Sequence, residues 1–406
     1  MTASLFANVE RAPRDPILGL TEAFQADNRP NKVNLGVGVY YDDQGKLPLL
    51  KCIKEAEGQR VSAAPARGYQ PIEGAVAYNQ AVQSLLFGAD SPVLKAQRVV
   101  TIEALGGTGA LKVGADYLRR LLPQAKVAIS DPSWENHRAL FEMAGFEVLT
   151  YRYYDPKTRG VDAKGMLESL QSLPKGTILV LHACCHNPTG VDLSAEQWSS
   201  VIAVIQSAGH IPFLDMAYQG FGEGIAQDAA VLNAFLASGL SFLVSSSFSK
   251  SFSLYGERVG ALSIVTQSAD EASRVLSQVK RTIRTNYSNP PTHGGAVVAM
   301  VLSTPALRAT WEAELAGMRD RIKAMRKGLA DGLKTRGFKG DVGFITSQRG
   351  MFSYTGLSSE QVDRLQEEFG VYAVGTGRIC IAALNSNNLE RVCDAIAAVT
   401  SPAELG

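Results

Sequence analysis

Residues 178–190 read ILVLHACCHNPTG, an apolar run that ends at His182 and leads into a polar turn. A short run rich in Ile, Val and Leu is typical of a strand that is buried on both faces of a sheet. Pro188 and Gly190 end the run, because both residue types favour turns. We therefore predict an interior strand over residues 178–182, with polar groups at its carboxyl end.

Six further runs of this kind lie on either side, at residues 98–102, 127–130, 148–151, 211–215, 242–246 and 259–265. Segments with helical spacing separate most of them, such as residues 111–122 and 195–208. Strands that alternate with helices indicate βαβ units around a mostly parallel sheet. The predicted fold class is α/β, with a seven-stranded, mostly parallel sheet flanked by helices.

The pattern changes after Pro305. Residues 306–336 have the spacing of one or two amphipathic helices, and short strands are predicted at 352–355 and 378–383, with a helix over 358–369. This indicates a smaller α+β domain. We predict a large domain over residues 46–310 and a small domain over 311–406, with residues 1–45 forming an arm and a segment that packs on the small domain.

Composition excludes several classes of protein. The chain has 406 residues, 46% of them hydrophobic and 19% charged, so it can bury a substantial core. With 40 basic and 39 acidic residues, it has no net charge that would attract nucleic acid or an anionic membrane. Five cysteines without a CxxC pair indicate reduced thiols. Without a signal peptide or an apolar stretch of membrane-spanning length, we expect a cytoplasmic protein.

In open α/β sheets, ligands bind beyond the carboxyl ends of the strands. Gly106–Gly109, with the sequence GGTG, follows one strand and opens a helix, a position that favours phosphate. It matches neither a Walker A loop nor GxGxxG, and a tight turn would explain it equally well.

Charged residues close two other strands. Asp215 is either a helix cap or core ion-pair partner, or a carboxylate that pairs with a protonated ring nitrogen, with Tyr218 reaching the same ligand. Lys250 is either a solvated lysine or an amine that forms a Schiff base. Arg258, eight residues later, could bind a phosphate. The His182–His186 cluster (HACCH) could suggest a metal, but its ligands are crowded and no second cluster accompanies it, so we expect no metal site.

Taken together and in this order, these strand ends resemble those of pyridoxal-phosphate aminotransferases of fold type I. HNPTG (186–190) and SFSK (247–250) are similar to motifs of that fold group, whereas AYQGF (217–221) and NYSNPP (286–291) are similar to motifs of its aspartate/aromatic subgroup. The likeness covers nearly the whole chain. LFGAD (86–90) and LGGTGALKVGADYL (105–118) look most like the bacterial aromatic-amino-acid enzymes.

The resemblance implies pyridoxal 5'-phosphate as the cofactor and assigns roles residue by residue. Lys250 resembles the lysine that holds the cofactor as a Schiff base and later moves the substrate proton. Asp215 resembles the partner of the ring nitrogen, and Asn187 and Tyr218 those of the phenolic oxygen. Trp134 would stack on the ring. The phosphate ligands implied are Gly107, Thr108, Ser247, Ser249 and Arg258, with Tyr69 of the neighbouring subunit.

The resemblance also implies a substrate site shared across a homodimer. Arg378 resembles the arginine that binds the substrate α-carboxylate, since a guanidinium matches a carboxylate with two parallel bonds. Arg284 resembles the arginine that enters from the second subunit and binds a side-chain carboxylate. Gly38 and Val37 would line the other side, and His137 and His182 would support the ring's partners.

The predicted function is transfer of the amino group of aromatic amino acids (tyrosine, phenylalanine), and of aspartate, to 2-oxoglutarate by a ping-pong mechanism. One alternative is a strict aspartate aminotransferase. A second is another pyridoxal-phosphate reaction such as decarboxylation, which the paired Arg378 and Arg284 disfavour. A third is a ligand-sensing regulator, which would need an added DNA-binding domain; the family likeness begins by residue 15 and the charge is neutral, so we expect none.

Overall fold

The computed structural model describes residues 4–13 and 16–400. The strands of that part of the chain are β1 (Val33–Asn34), β2 (Val99–Leu105), β3 (Val127–Asp131), β4 (Val148–Arg152), β5 (Tyr154–Asp155), β6 (Gly160–Val161), β7 (Ile178–His182), β8 (Ile211–Met216), β9 (Phe242–Ser247), β10 (Val259–Val265), β11 (Phe352–Tyr354), β12 (Val371–Tyr372) and β13 (Arg378–Cys380).

The helices of the same residues run between these strands and beyond them. They are α1 (Pro16–Ala26), α2 (Lys51–Ala63), α3 (Val76–Phe87), α4 (Pro92–Lys95), α5 (Gly106–Leu121), α6 (Glu135–Met143), α7 (Ala163–Ser172), α8 (Ala195–Ala208), α9 (Ile225–Asp228), α10 (Ala230–Ser238), α11 (Ala269–Asn286), α12 (His293–Ser303), α13 (Pro305–Thr335), α14 (Gly343–Ser347), α15 (Ser359–Phe369) and α16 (Leu389–Thr400).

A seven-stranded sheet with the order β2-β10-β9-β8-β7-β3-β4 forms the centre of the molecule. Strand β10 is antiparallel to β2 and β9, and the other neighbouring pairs are parallel. All seven predicted strands are present, and the predicted α/β class with a mostly parallel sheet is confirmed. The carboxyl ends of β2, β3, β7, β8 and β9 meet at one edge, where β10 begins.

The inner strands owe their burial to an apolar composition on both faces. Every residue of β9 and β10 is buried, which matches an interior strand covered by helices on each side. Local signals set the helix boundaries. Ser194 and Gln197 form a capping box at the start of α8, and Gly209, with φ +67°, ends that helix in the left-handed region.

Three boundaries differ from the sequence prediction by three residues or more. Helix α5 begins at Gly106 instead of residue 111, because the GGTG segment itself is helical. Strand β2 extends three residues further, to Leu105, and the predicted strand over 378–383 ends at Cys380, after which a 3-10 turn follows.

The carboxyl-terminal part is built on one long helix. Residues 305–335 form the single 31-residue helix α13, which packs on α16, so the boundary predicted at 310/311 falls inside a helix. Strand β1 pairs in parallel with β12, so the amino-terminal segment joins the carboxyl-terminal part, as Val33 opposite Val371 shows. Residues 1–3, 14, 15 and 401–406 of the predicted domain ranges lie outside the described residues. None of the described helices has the combination of length and hydropathy that a membrane span requires.

One carboxylate in the sheet makes stability depend on pH. Glu103, in β2, is 2% exposed, and its Oε2 has no hydrogen-bond partner within the described chain. Gly74 and Gly295 pack tightly against it, since a Cβ on Gly295 would lie 2.0 Å from Oε1. Burial raises the pKa of Glu103 from 4.5 to about 7, against the smaller lowering effect of the Ala75 N–H.

Glu103→Gln is expected to stabilise the protein relative to wild type as pH rises. Below pH 4.5 the carboxyl is protonated in both folded and unfolded chains, so there is no difference from ionisation. Between pH 4.5 and about 7 the carboxyl of residue 103 ionises only in the unfolded chain, so the free energy of unfolding falls as pH rises. Above that range the wild-type protein has lost about 3 kcal/mol of stability, a loss that glutamine avoids because it does not ionise.

Thermal unfolding of wild type, Glu103→Gln and the exposed control Glu360→Gln at pH 4.5, 6 and 8 measures this effect. The Tm difference between Glu103→Gln and wild type should grow with pH and then level off. A difference that stays constant over this range would contradict the interpretation of Glu103.

Candidate active site

A cavity of about 200 Å³ opens at the edge where the strands end. It brings together twelve of the fourteen residues predicted as site residues: Gly38, Gly107, Thr108, Trp134, Asn187, Asp215, Tyr218, Ser247, Ser249, Lys250, Arg258 and Arg378. They come from positions up to 340 residues apart (378 − 38) and meet because the sheet places successive strand ends side by side.

An anion cradle occupies one end of the cavity. Gly107 and Thr108 lie in the first turn of the 16-residue helix α5, where free N–H groups and the helix dipole favour negative charge. Arg258 donates from Nη1 to Ser249 Oγ over 3.3 Å. Gly106 has φ +69°, and a Cβ there would lie 2.4 Å from Arg258 Nη2, so only glycine allows this close approach.

Lys250 follows β9 by three residues, in a turn that faces the cavity. Burial lowers the pKa of its amine from 10.5 to about 8, opposed by Asp215 and assisted by the positive charges of Arg258 and Arg378. A substantial share of the amine is therefore neutral near physiological pH, which is the form that acts as a nucleophile. Its Nζ lies 4.9 Å from the centre of the Tyr218 ring.

Asp215 is held as an anion although it is buried. Burial alone would raise the pKa of Asp215, but the hydrogen bond to His137 and the charge of Lys250 outweigh it and lower the pKa below its usual value. His137 Nε2 lies 2.8 Å from Asp215 Oδ2, and Ser245 Oγ donates to Oδ1 over 3.4 Å. The site therefore presents a fixed negative charge beside the cavity.

A chain of hydrogen bonds fixes the tautomers behind Asp215. The N–H of Asn187 can only donate, so His182 Nδ1, 3.4 Å away, must accept and Nε2 must carry the proton. Ser133 Oγ lies 3.2 Å from His182 Nε2 and 2.9 Å from His137 Nδ1. Serine thus accepts from His182 and donates to His137, which leaves His137 Nε2 to donate to Asp215. Burial lowers the pKa of His182 to about 3, which keeps it neutral.

Arg378 forms the opposite wall. It is 2% exposed, and its guanidinium donates from Nη2 to Gly36 O over 2.6 Å and from Nη1 to Asn187 Oδ1 over 3.2 Å. It also lies 4.4 Å from the centre of the Phe352 ring. A Cβ on Gly38 would lie 2.8 Å from that same ring, so glycine leaves room for it. The guanidinium is thus fixed in orientation and faces the cavity.

Trp134 and Tyr218 complete the polar and aromatic lining. Trp134 packs edge-on against His137, with ring centres 5.2 Å apart. Tyr218 is 6% exposed, and burial raises the pKa of its phenol far above the ordinary value, so it acts as a hydrogen-bond donor.

Three residues that were predicted to line or reach the site do not line the cavity of their own chain. Tyr69 is 95% exposed, and Arg284, in the last turn of α11, donates to Ser288 Oγ on the surface. Val37, a neighbour of Gly38, does not line it either. The resemblance assigns Tyr69 and Arg284 to the site of a neighbouring subunit, and for this single chain that assignment stays a prediction.

The cavity also contains residues that sequence reasoning missed: Ile17, Leu111, Cys184, Ala217 and Phe352. Leu111 could have been found, because it lies three residues after Thr108 and therefore on the same face of α5. The others are apolar side chains, and no local sequence signal distinguishes an apolar cavity wall from ordinary core.

The adjacent cysteines belong to the loop architecture. Sγ of Cys184 and Cys185 and a carboxylate oxygen of Asp228 lie within 4.8 Å of one another. Both oxygens of Asp228 already accept backbone N–H groups: Oδ2 accepts from Gly220 and Gly222 at 2.8 and 2.9 Å, and Oδ1 accepts from Glu223 at 2.9 Å. Asp228 therefore organises the turn after β8.

Comparison with known proteins agrees with this geometry. Residues 30–396 match the family described as aminotransferase class I and II. The chain is 65% identical to an aspartate aminotransferase of Pseudomonas aeruginosa, over 98% of this chain and 100% of the relative. It is 53% identical to an aromatic-amino-acid aminotransferase of Escherichia coli, over 97% and 100% of the two chains. A crystal structure of an aromatic-amino-acid aminotransferase from Burkholderia pseudomallei, covalently bound to pyridoxal phosphate, superimposes with a TM-score of 0.96 at 66% identity, covering 98% of this chain and 100% of the other.

Proposed function

We propose, from the premise that this chain belongs to the class I and II aminotransferase family, that it transfers the amino group of aromatic amino acids and of aspartate to 2-oxoglutarate. The protein is a pyridoxal-phosphate-dependent aminotransferase of fold type I. The observation that carries the proposal is the meeting of a buried amine, Lys250, and a buried carboxylate, Asp215, in one cavity with an anion cradle.

The residues present fit this cofactor. The first turn of α5 together with Ser247, Ser249 and Arg258 offers N–H, hydroxyl and guanidinium donors to a phosphate. Asp215 offers a negative charge to a protonated ring nitrogen, and Lys250 offers an amine to an aldehyde. When bound, pyridoxal phosphate accepts the electron pair that is left when the substrate Cα–H bond breaks.

The remaining groups act on the substrate. Arg378 binds its α-carboxylate with a guanidinium that Gly36 O and Asn187 hold in place. Lys250 removes the proton from Cα of the amino acid in one half-reaction and returns a proton to Cα of the 2-oxo acid in the other. It can act as a base because burial keeps part of its amine neutral. Asn187 and Tyr218 would donate to the phenolic oxygen of the bound cofactor, and Trp134 would cover the face of its ring. Both substrates use Arg378 in turn, so we expect ping-pong kinetics.

We further propose a homodimer in which each subunit completes the other's site. Tyr69 would reach the phosphate, and Arg284 the side-chain carboxylate of the substrate, each from the neighbouring subunit. The high exposure of Tyr69 and the surface position of Arg284 support this arrangement. The grouping of the amino-terminal segment with a small carboxyl-terminal domain is supported by the β1–β12 pair, whereas helix α13 runs through the boundary predicted between residues 310 and 311. A cytoplasmic location is supported by five unpaired, buried cysteines.

Arg284→Leu is expected to separate the two classes of substrate. Turnover of aspartate and 2-oxoglutarate should fall roughly a hundredfold in kcat/KM, because a desolvated carboxylate loses its partner. The half-reaction with phenylalanine should change by less than about threefold, because an aromatic side chain makes no ion pair there. Single-turnover kinetics with each substrate measures both effects, with Arg281→Leu on the exposed face of the same helix as control.

A mixing experiment tests whether Arg284 acts across subunits. Arg284→Leu and Lys250→Ala chains are unfolded together and refolded in equal amounts. Half of the dimers should be hybrids, each with one complete site, so dicarboxylate turnover should recover to about one quarter of wild type. Equal losses for both substrate classes, or no recovery on mixing, would refute the assigned role.

A strict aspartate aminotransferase is the second candidate, favoured by the name of the Pseudomonas aeruginosa relative at 65% identity. Both enzymes need Arg284, since 2-oxoglutarate is a dicarboxylate, so this arginine does not decide between them. A substrate panel on purified protein separates the two. Phenylalanine turnover comparable to that of aspartate supports the broad enzyme, and negligible phenylalanine turnover supports the strict one.

A further inference from the structure

Arg326, in the middle of α13, is a buried cation without an anionic partner. It is 2% exposed, and in the described part of the chain no carboxylate lies within salt-bridge distance of it, although the charge of the more distant Asp192 acts on it. It donates from Nη1 to Ile345 O over 3.0 Å and from Nη2 to Gly350 O and Phe352 O over 2.7 and 2.5 Å. Burying a cation without a salt-bridge partner costs free energy. The three hydrogen bonds hold a backbone segment in place, which an apolar side chain at this position could not do.

Arg326 binds the backbone of residues 345–352, and this segment packs against the loop that carries Asn187. Arg349 N donates to Gly190 O over 2.7 Å. Gly350 has φ +81°, and a Cβ there would lie 2.5 Å from Cys185 Cβ. A Cβ on Gly190 would in turn lie 2.8 Å from Phe352 O. The two segments are in close van der Waals contact, so a displacement of one would displace the other.

The same segment ends on the substrate side of the cavity. The Phe352 ring lies 4.4 Å from the Arg378 guanidinium, a cation–π contact, and 5.8 Å from the Tyr218 ring at 86°. Arg378 is therefore held on one side by Phe352 and on the other by Asn187, whose loop touches the segment.

We propose that Arg326 is a positioning residue that holds residues 345–352 so that Phe352 and Asn187 keep Arg378 in the orientation that binds the substrate α-carboxylate. The inference rests on the proposed function, because that function assigns the α-carboxylate to Arg378. Every amino acid and 2-oxo acid substrate carries this carboxylate. Loss of Arg326 therefore weakens the binding of all substrates by a common factor, whereas loss of Arg284 affects only substrates with a side-chain carboxylate.

A guanidinium is needed because its planar fork reaches three carbonyl groups at once. Lysine keeps the charge but has one compact head group, so it can satisfy only part of this set. Methionine fills a similar space without donors. The series arginine, lysine, methionine therefore removes the backbone bonds in steps.

The experiment compares Arg326→Lys and Arg326→Met with wild-type holoenzyme. KM for phenylalanine, aspartate and 2-oxoglutarate should rise by a common factor of about ten in Arg326→Lys and further in Arg326→Met, while kcat stays within about threefold. Inhibition by 3-phenylpropionate, a carboxylate without an amino group, should weaken by the same factor. Cofactor affinity should change much less than KM, because the segment does not touch the anion cradle that binds the phosphate, and it reaches the cofactor only through the Asn187 loop and Tyr218.

Arg391→Lys is the matched control. Arg391, on α16, also donates a guanidinium bond to a backbone carbonyl, that of Phe369, but it contacts neither residues 345–352 nor the cavity. KM values of this variant should equal those of wild type. A purely structural role for Arg326 predicts a lower Tm with normal KM in the folded protein, and that result would overturn the proposal, as would a change confined to one substrate class.

Phe352→Leu keeps the test decisive if Arg326→Met does not fold. If Arg326 acts through Phe352, the double variant Phe352→Leu/Arg326→Lys should have nearly the KM of Phe352→Leu alone, and multiplied effects would refute the link. Failure of the proposed function is distinguishable, since Arg378→Lys would then leave KM unchanged. If Arg378→Lys raises KM and the Arg326 variants do not, only the present inference fails.

Discussion

Lys250→Ala is expected to lower aminotransferase turnover by about ten thousandfold, because one side chain supplies both the covalent attachment of the cofactor and the base that moves the substrate proton. Its burial keeps the pKa of the amine at about 8, so the proton can leave and return near neutral pH. Alanine offers neither an amine nor a base, and no other lysine lines the cavity in the described chain.

Steady-state turnover of phenylalanine and aspartate measures this loss. Lys112→Ala is the matched control, because Lys112 also lies near the anion cradle, on α5, but pairs with Asp116 and does not line the cavity. Its activity should be close to wild type. Retention of more than a tenth of wild-type turnover by Lys250→Ala would show that another group does the chemistry.

Asp215→Asn is expected to slow the step that breaks the substrate Cα–H bond by about a thousandfold. The carboxylate is ionised in the folded protein, since the His137 bond and the charge of Lys250 outweigh the cost of its burial. Asparagine has nearly the same shape but no charge, so it cannot stabilise a protonated ring nitrogen. It also alters the last bond of the His182–Ser133–His137 chain, in which His137 donates to this side chain.

The measurement is pre-steady-state turnover of phenylalanine and its α-deuterated form. In Asp215→Asn, cleavage of the Cα bond should become the slowest step, so the isotope effect should rise along with the loss of rate. Asp116→Asn, a partly exposed aspartate on α5, should show neither change. Near-normal rates in Asp215→Asn would mean that a different group keeps the ring nitrogen protonated.

The central sheet could be predicted because its inner strands are buried on both faces. Runs such as Val259–Val265 have no polar alternation that could be confused with an exposed strand, whereas the edge strand β4 exposes Thr150 and Arg152. Boundaries were less predictable where glycine stands at a junction. Gly106 and Gly107 look like a turn in sequence, yet they form the first turn of α5, because Gly106 bonds to Arg258 O across the sheet edge.

The polar part of the site could be predicted for a related reason. A charged or hydroxyl residue directly after a buried strand stands out, as Asp215 and Lys250 do, and the fold places such residues at one edge. The apolar walls could not be predicted, because Phe352 and Ile17 contact the cavity through the arrangement of distant segments. Arg326 lies in the segment predicted as amphipathic helix, residues 306–336, and only the chain path of residues 345–352 shows it to be buried.

Borohydride reduction of the holoenzyme, followed by proteolysis and mass spectrometry, tests the central claim most directly. Reduction fixes the cofactor on whichever amine holds it. We predict one pyridoxyl group per chain, on the peptide that contains Lys250, and none in Lys250→Ala. A pyridoxyl group on another lysine, or no labelled peptide after reconstitution with pyridoxal phosphate, would contradict the account.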